Sequence, residues 1–244
     1  MTEFRPSRFE ILPVIIKNLV IINGLFFLAQ NSLSQTGSMF SLEDHFALHA
    51  WQSSLFKPWQ LLTHMFMHGS FWHLFGNMFA LWMFGSVLEN LWGSKRFLTF
   101  YIICGLGAAL IHLLFLNYEI SGLMRDYNAL VNQHAQGEIS IGEFNRVTSY
   151  YNLKLNTATL GASGAVFGVL AAFVYLFPNT YIYLYFLVPI KAKWLGLGYF
   201  AFEVFYALKN SAGDNVARWA HIGGAIVGLI LVLTWNKTNR KSFF

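Results

Sequence analysis

The chain has 244 residues, of which 56% are hydrophobic, 18% aromatic and only 11% charged. A soluble domain carries about 25% charged residues, so this chain lacks the side chains for a water-facing surface, and lipid must solvate much of it. The net charge of +5 does not indicate nucleic acid, because apolar spans separate the basic residues and leave them no common face; they read as markers of membrane orientation.

A helix needs about 20 apolar residues to cross the hydrocarbon core. Six segments meet or approach that length, at about 12–34, 71–91, 97–116, 161–177, 194–208 and 219–236. The first follows Arg5 and Arg8 with no small-residue cleavage site before a soluble domain, so it is expected to be a retained helix and not a signal peptide. Residues 35–70 then form a long connection ending in a histidine-rich approach to the second span. The third span holds the single cysteine, Cys104, which excludes an intramolecular disulfide framework. The connection 117–160 is polar, with helical periodicity in 123–135 and 141–151. Pro178 and Pro189 flank a stretch that reads as a loop with an aromatic run from Tyr181 to Phe186. The fifth span contains Glu203, the one acid inside a span's interior. The expected architecture is all-α: a single polytopic membrane domain, 1–244, built as a six-transmembrane-helix bundle.

With six spans both termini lie on one side. Placing them in the cytoplasm puts Arg5, Arg8, Lys17, Lys95, Arg96, Lys191, Lys193, Lys237, Arg240 and Lys241 inside, in short tails and loops. Lys57, Arg125, Arg146, Lys154, Lys209 and Arg218 fall outside, in long connections diluted by acids. The bias supports cytoplasmic termini in a cell membrane, with both long connections on the outer side.

Polar residues inside a membrane are costly and default to functional hypotheses. Three sets stand out. His64, His68, His73 and Asn77 lead into span 2, with two pairs spaced four apart. They read as metal ligands, as side-chain donors to an oxyanion, or as interfacial histidines capping a loop. The metalloprotease pattern is absent, since Met65, Phe66 and Met67 separate the first two. Gly161-Ala162-Ser163-Gly164 opens span 4. Gly164 and Gly168 make a close-packing face, while Ser163 lies in a first turn whose free N–H groups favour developing negative charge. Ala220-His221-Ile222-Gly223-Gly224 opens span 6, with Gly224 and Gly228 as a second small-residue face. Next to a serine, His221 becomes a general base. Spans 2, 4 and 6 run in the same direction, so His73, Ser163 and His221 fall at one depth, roughly 10 Å or less below one interface.

These residues resemble the rhomboid family of intramembrane serine proteases. The resemblance covers about 57–116 and 158–230 and rests on His64-x3-His68-x4-His73-x3-Asn77, Glu89 with Gly93, Gly161-Ala162-Ser163-Gly164, and Ala220-His221-x2-Gly224-x3-Gly228. It implies a Ser–His dyad with Ser163 as nucleophile and His221 as base and acid. The oxyanion hole would use the Ser163 backbone N–H with the side chains of His73 and Asn77. His64 and His68 would be structural beneath the outer loop, Glu89 would tie the inner end of span 2 to the next loop, and 194–218 would act as a gate. The implied partners are transmembrane protein substrates and the lipid bilayer, with no metal or other cofactor. Two departures stand out. Gln60 follows Trp59 where an arginine is common, and Phe167 stands where a tyrosine often stacks on the base.

Without an acid assigned to a triad, orientation of His221 is expected to come from packing against Phe167, and Glu203 is read as serving gating or packing, with a catalytic role as the alternative. The alternative is a catalytically silent rhomboid-like protein that binds transmembrane helices as a chaperone; a channel or transporter is disfavoured by the lack of a charged ring or inverted repeat, and a metallopeptidase completes the alternatives.

Overall fold

The computed structural model describes residues 9–35, 41–184, 187–209 and 217–239. Arg5, Arg8, Arg240 and Lys241, used above for orientation, lie outside them, as do Tyr185 and Phe186 of the aromatic run and 210–216 of the expected gate.

In chain order the helices are α1 (Val14–Gln35), α2 (Leu42–Phe46), α3 (Gln60–Thr63, continued by a 3-10 turn His64–Phe66), α4 (Phe71–Trp92, with a π-turn at Leu81–Gly85), α5 (Ser94–Ala135), α6 (Ile141–Asn156), α7 (Ser163–Leu176), α8 (Ala192–Lys209) and α9 (Arg218–Asn239). Six of them coincide with the six expected spans, and the fold is nearly all-α. Among the described residues α1, α4, α5 and α9 are each long and apolar enough to cross a membrane.

The boundaries differ most at the third span. The apolar stretch 97–116 continues without a break to Ala135, adding roughly 28 Å of helix beyond the expected end. Hydropathy falls there but helix propensity does not, so a span limit read from hydropathy stops short of the helix. α6 folds back on this extension: Tyr127 stacks on Tyr151 with ring centroids 5.0 Å apart, and His134 on Phe144 at 4.6 Å. The 117–160 connection is thus largely a helical hairpin. The segment after Pro178 is also more regular than a loop. β1 (Tyr181–Leu184) and β2 (Val188–Lys191) pair antiparallel, Tyr181 opposite Lys191 and Leu184 opposite Val188.

α7 is the helix around which the others pack. Its 14 residues span about 21 Å, less than the roughly 30 Å hydrocarbon core, so at least one end starts below the membrane surface. Gly164, Ala165, Val166, Phe167, Gly168, Val169, Ala172 and Phe173 are all buried. The glycine faces bring α7 and α9 to backbone contact. A methyl group on Gly224 would collide with the Gly164 carbonyl, and one on Gly228 would lie 2.6 Å from the Gly168 Cα. On its other side Gly168 faces Cys104 of α5, whose Sγ a methyl would approach to 2.6 Å. Without a hydrophobic force between helices in lipid, such close approach of backbones is what holds them together.

At the opposite end of the bundle Glu89 is buried and accepts hydrogen bonds from the Ile15 and Ile16 N–H groups at 2.9 and 3.0 Å and from Ser94 Oγ at 2.7 Å. It therefore joins α4 to the start of α5, as expected, and also satisfies free amides in the first turn of α1.

Candidate active site

Ser163 is the first residue of α7 and His221 the fourth of α9. The glycine contacts set the two helices side by side, and His221 Nε2 comes to 2.8 Å from Ser163 Oγ. A hydroxyl hydrogen-bonded to an imidazole is arranged for general-base activation. The His221 ring lies flat on Phe167, one turn along α7 from Ser163, with centroids 4.3 Å apart and planes 9° from parallel. Phe167 stacks in turn on Tyr199 of α8 at 5.2 Å. The ring face expected of position 167 is present without a hydroxyl.

His73 occupies the first turn of α4, where Ser70 Oγ accepts the His73 N–H. Its ring borders Gly161: a methyl there would sit 2.8 Å from His73 Nε2 and 3.6 Å from Ser163 Oγ. Gly161 also has φ of +124°, a conformation open to glycine and strained for other residues. Both facts require glycine here, and its missing side chain keeps open the space between His73 and Ser163. Asn77 lies one turn further along α4, is buried, and its Nδ2 has no hydrogen-bond partner. A buried amide donor without an acceptor is costly in a finished structure and is suited to an acceptor that arrives during a reaction.

The first two histidines do not share a helical face. The helical turn ends at Phe66, and Met67 is extended, so His68 lies beyond it. His64 is buried, its Nδ1 2.8 Å from the Gln60 carbonyl, while its own carbonyl accepts the Gly161 N–H at 2.9 Å. This bond anchors the residues leading into α7. His68 is also buried, and its ring meets that of His73 edge-on at 5.1 Å. Burial lowers both His64 and His68 from the ordinary 6.5 to about 4, so both are neutral near neutral pH. Among the described residues no three His, Cys, Asp or Glu side chains cluster as metal ligands.

Gln60 turns out to organise the connection between α1 and α4 in spite of the missing arginine. It is fully buried; its Oε1 accepts the Lys57 and His49 N–H groups, and its Nε2 donates to the Asp44 and Leu55 carbonyls. Leu48 and Thr159 exchange backbone hydrogen bonds at 2.8 Å, tying this connection to the approach to α7.

Glu203 lies beside the site. Its Oε2 lies 3.1 Å from His221 Nδ1 and 3.3 Å from Arg218 Nη1, and the residue is 3% exposed. An acid does stand beside the histidine. Sequence alone did not show it because Glu203 and His221 lie on different helices, and which face of α8 meets α9 is set by tertiary packing. The available signal was that Glu203 is the one acid inside a span.

Residues 55–237 match the rhomboid domain family. The chain belongs to the rhomboid family. It is similar to Rhomboid protein 1, mitochondrial, of Saccharomyces cerevisiae, at 31% identity over 171 residues, covering 68% of this chain and 38% of that protein. It is 29% identical over 198 residues to Rhomboid protease AarA of Providencia stuartii, covering 78% and 60%. With Rhomboid protease GluP of Bacillus subtilis it shares 26% over 208 residues, covering 84% and 31%. The chain thus spans between about a third and three fifths of the length of these curated relatives. The rhomboid family and the apolar helices together make it a multi-pass membrane protein; relatives named as mitochondrial stand beside bacterial ones, so the family alone does not assign the membrane.

Proposed function

We propose that this rhomboid is an intramembrane serine endopeptidase that cleaves transmembrane or juxtamembrane segments of other membrane proteins. The observation that carries this reading is the 2.8 Å contact between His221 Nε2 and Ser163 Oγ at the start of two helices held in backbone contact. His221 takes the hydroxyl proton as Ser163 Oγ attacks the scissile carbonyl, then returns it to the leaving amine, and water hydrolyses the acyl-enzyme. The oxyanion would be held by the Ser163 backbone N–H, free at a helix start, with the His73 and Asn77 side chains. The unpartnered Asn77 Nδ2 supports that assignment. Relatives named as proteases from Providencia stuartii and Bacillus subtilis support the same reading. The proposed orientation has both termini in the cytoplasm of a cell membrane and the site opening to the outer side.

The test is cleavage of a model transmembrane substrate by protein purified in detergent, together with labelling by a fluorescent fluorophosphonate. Ser163→Ala and His221→Ala should abolish both. Cleavage by Ser163→Ala at the wild-type rate refutes the assignment, and binding of transmembrane helices without cleavage by wild type favours the silent chaperone. For orientation, protease added to intact cells should cut at the turn between α5 and α6, residues 136–140, and spare both termini.

A further inference from the structure

We infer that Glu203 is a positioning residue for His221, converting the Ser–His pair into a chain of three side chains, Ser163–His221–Glu203. The inference rests on the serine-protease reading above and adds a member that the sequence motifs do not contain. His221 presents its two ring nitrogens to two different groups: Nε2 to Ser163 Oγ at 2.8 Å and Nδ1 to Glu203 Oε2 at 3.1 Å.

A carboxylate this deep among apolar helices needs a partner charge, and Arg218 at 3.3 Å supplies one. A purely structural ion pair would explain the burial of Glu203. It would not explain why the oxygen facing Arg218, Oε2, also faces the imidazole nitrogen remote from the serine. Nor, among the described residues, does any other group serve that nitrogen: Nδ1 is buried and has no aligned hydrogen-bond partner there. The Glu203 contact is close but off the N–H direction, the loose geometry that catalytic hydrogen bonds often show before substrate binds. Alignment requires the carboxylate oxygen to shift toward the N–H axis.

Once aligned, the carboxylate accepts the Nδ1–H bond. That selects the tautomer with its lone pair on Nε2, facing the serine hydroxyl. As the Oγ–carbon bond forms, the hydroxyl proton passes to Nε2 and the carbonyl π pair moves onto oxygen. Glu203 stabilises the resulting imidazolium without taking a proton, and Nε2 later gives its proton to the amine as the carbon–nitrogen bond breaks. The neighbouring charged and titratable groups among the described residues are Arg218 on α9, Tyr199 one turn back on α8, His73 on α4 and His112 on α5.

The experiment measures kcat, KM, melting temperature and the second-order rate of fluorophosphonate labelling for Glu203→Gln and Glu203→Asp, with Ser163→Ala alongside. Glu203→Gln should lower kcat and the labelling rate about 10²-fold, the lower end for a positioned acid–base group, with KM near wild type; melting temperature should fall as well, because Arg218 loses this carboxylate charge. Glu203→Asp should recover part of the rate. Wild-type kcat and labelling in Glu203→Gln, or a loss confined to KM or melting temperature, overturns the inference. A second readout needs no folded variant at position 203: in protein labelled with 15N-histidine, at alkaline pH, the signal absent from His221→Ala should be the Nδ1–H tautomer. The Nε2–H tautomer overturns the inference as well. If Ser163→Ala retains cleavage, the protease assignment itself fails; if it is inactive while Glu203→Gln is unchanged, only the positioning role fails.

Discussion

Gly224→Ala tests whether glycine packing sets the geometry of the site. The added methyl points at the Gly164 carbonyl, a backbone atom that no rotamer change can move aside. Restoring an ordinary contact of about 3.5 Å requires the backbones of α7 and α9 to separate by about 1 Å or more. Ser163 is adjacent to Gly164 on one helix, and His221 is three residues before Gly224 on the other, so the separation acts directly on the 2.8 Å Oγ–Nε2 contact. Lengthened by that amount, the contact leaves hydrogen-bonding range. Misplacement by about 1 Å costs on the order of 10² in rate, or about 2.7 kcal/mol of activation free energy. Overpacking should also lower stability by about 1–3 kcal/mol. The assay is fluorophosphonate labelling rate and substrate kcat in detergent, with melting temperature measured in parallel. Gly198→Ala on α8, where a methyl meets nothing within 4 Å, is the matched control and should behave as wild type. A Gly224→Ala protein with unimpaired kcat would mean that the helices have slack at this crossing and that something else positions the pair.

Asn77→Ala should lower kcat about 10²- to 10³-fold with a small change in KM, as for loss of one oxyanion donor; a change confined to KM would assign Asn77 to substrate binding. Glu89→Gln should lower melting temperature and leave kcat of the folded protein unchanged, because it weakens two backbone amide bonds and the Ser94 bond far from the dyad; hydrogen bonds to a charged group contribute about 1.5–3 kcal/mol each. Unchanged thermal stability would remove Glu89 from the structural account. The buried His68 carries a pH signature. Its folded value of about 4 lies below the ordinary 6.5, so the unfolded chain binds the proton first, and stability should fall as pH drops from about 6.5 toward 4. His68→Phe should reduce that slope in denaturation measured across the same range, leaving the share that His64 contributes; an unaltered slope would show that His68 does not titrate there.

The features legible in the sequence were those fixed by one helix or one motif. The six apolar helices followed from hydropathy, and the placement of His73, Ser163 and His221 near the starts of theirs followed from residue count. The stacking of Phe167 on His221 was accessible because Phe167 lies one turn from Ser163 on the same helix. What escaped needed relations between elements. The extension of α5 to Ala135 was hidden because hydropathy reports lipid contact and helices continue past it. The role of Gln60 escaped because its partners, the backbone groups of Asp44, His49, Leu55 and Lys57, come from an irregular connection with no period to read.

Glu203 shows the same limit at the site itself. A charge in the middle of a span is costly enough to demand a reason, and the sequence supplied the cost without the partner. The partner proves to be double. Arg218 meets the charge requirement, and a guanidinium, which stays charged throughout the accessible pH range, would suffice if burial of the acid were the whole problem. His221 adds a neighbour whose charge changes during the proposed reaction. Breaking a buried pair from one side leaves an unpaired charge and typically costs 3–5 kcal/mol. Arg218→Met should therefore destabilise the folded protein by several kcal/mol in denaturation measurements, and Glu203→Met combined with it should recover much of the stability by removing the stranded carboxylate. If Glu203 also positions His221, stability and rate must part company in the double variant: melting temperature returns toward wild type while the fluorophosphonate labelling rate stays low. Recovery of both together would reduce Glu203 and Arg218 to a structural ion pair that happens to border the histidine.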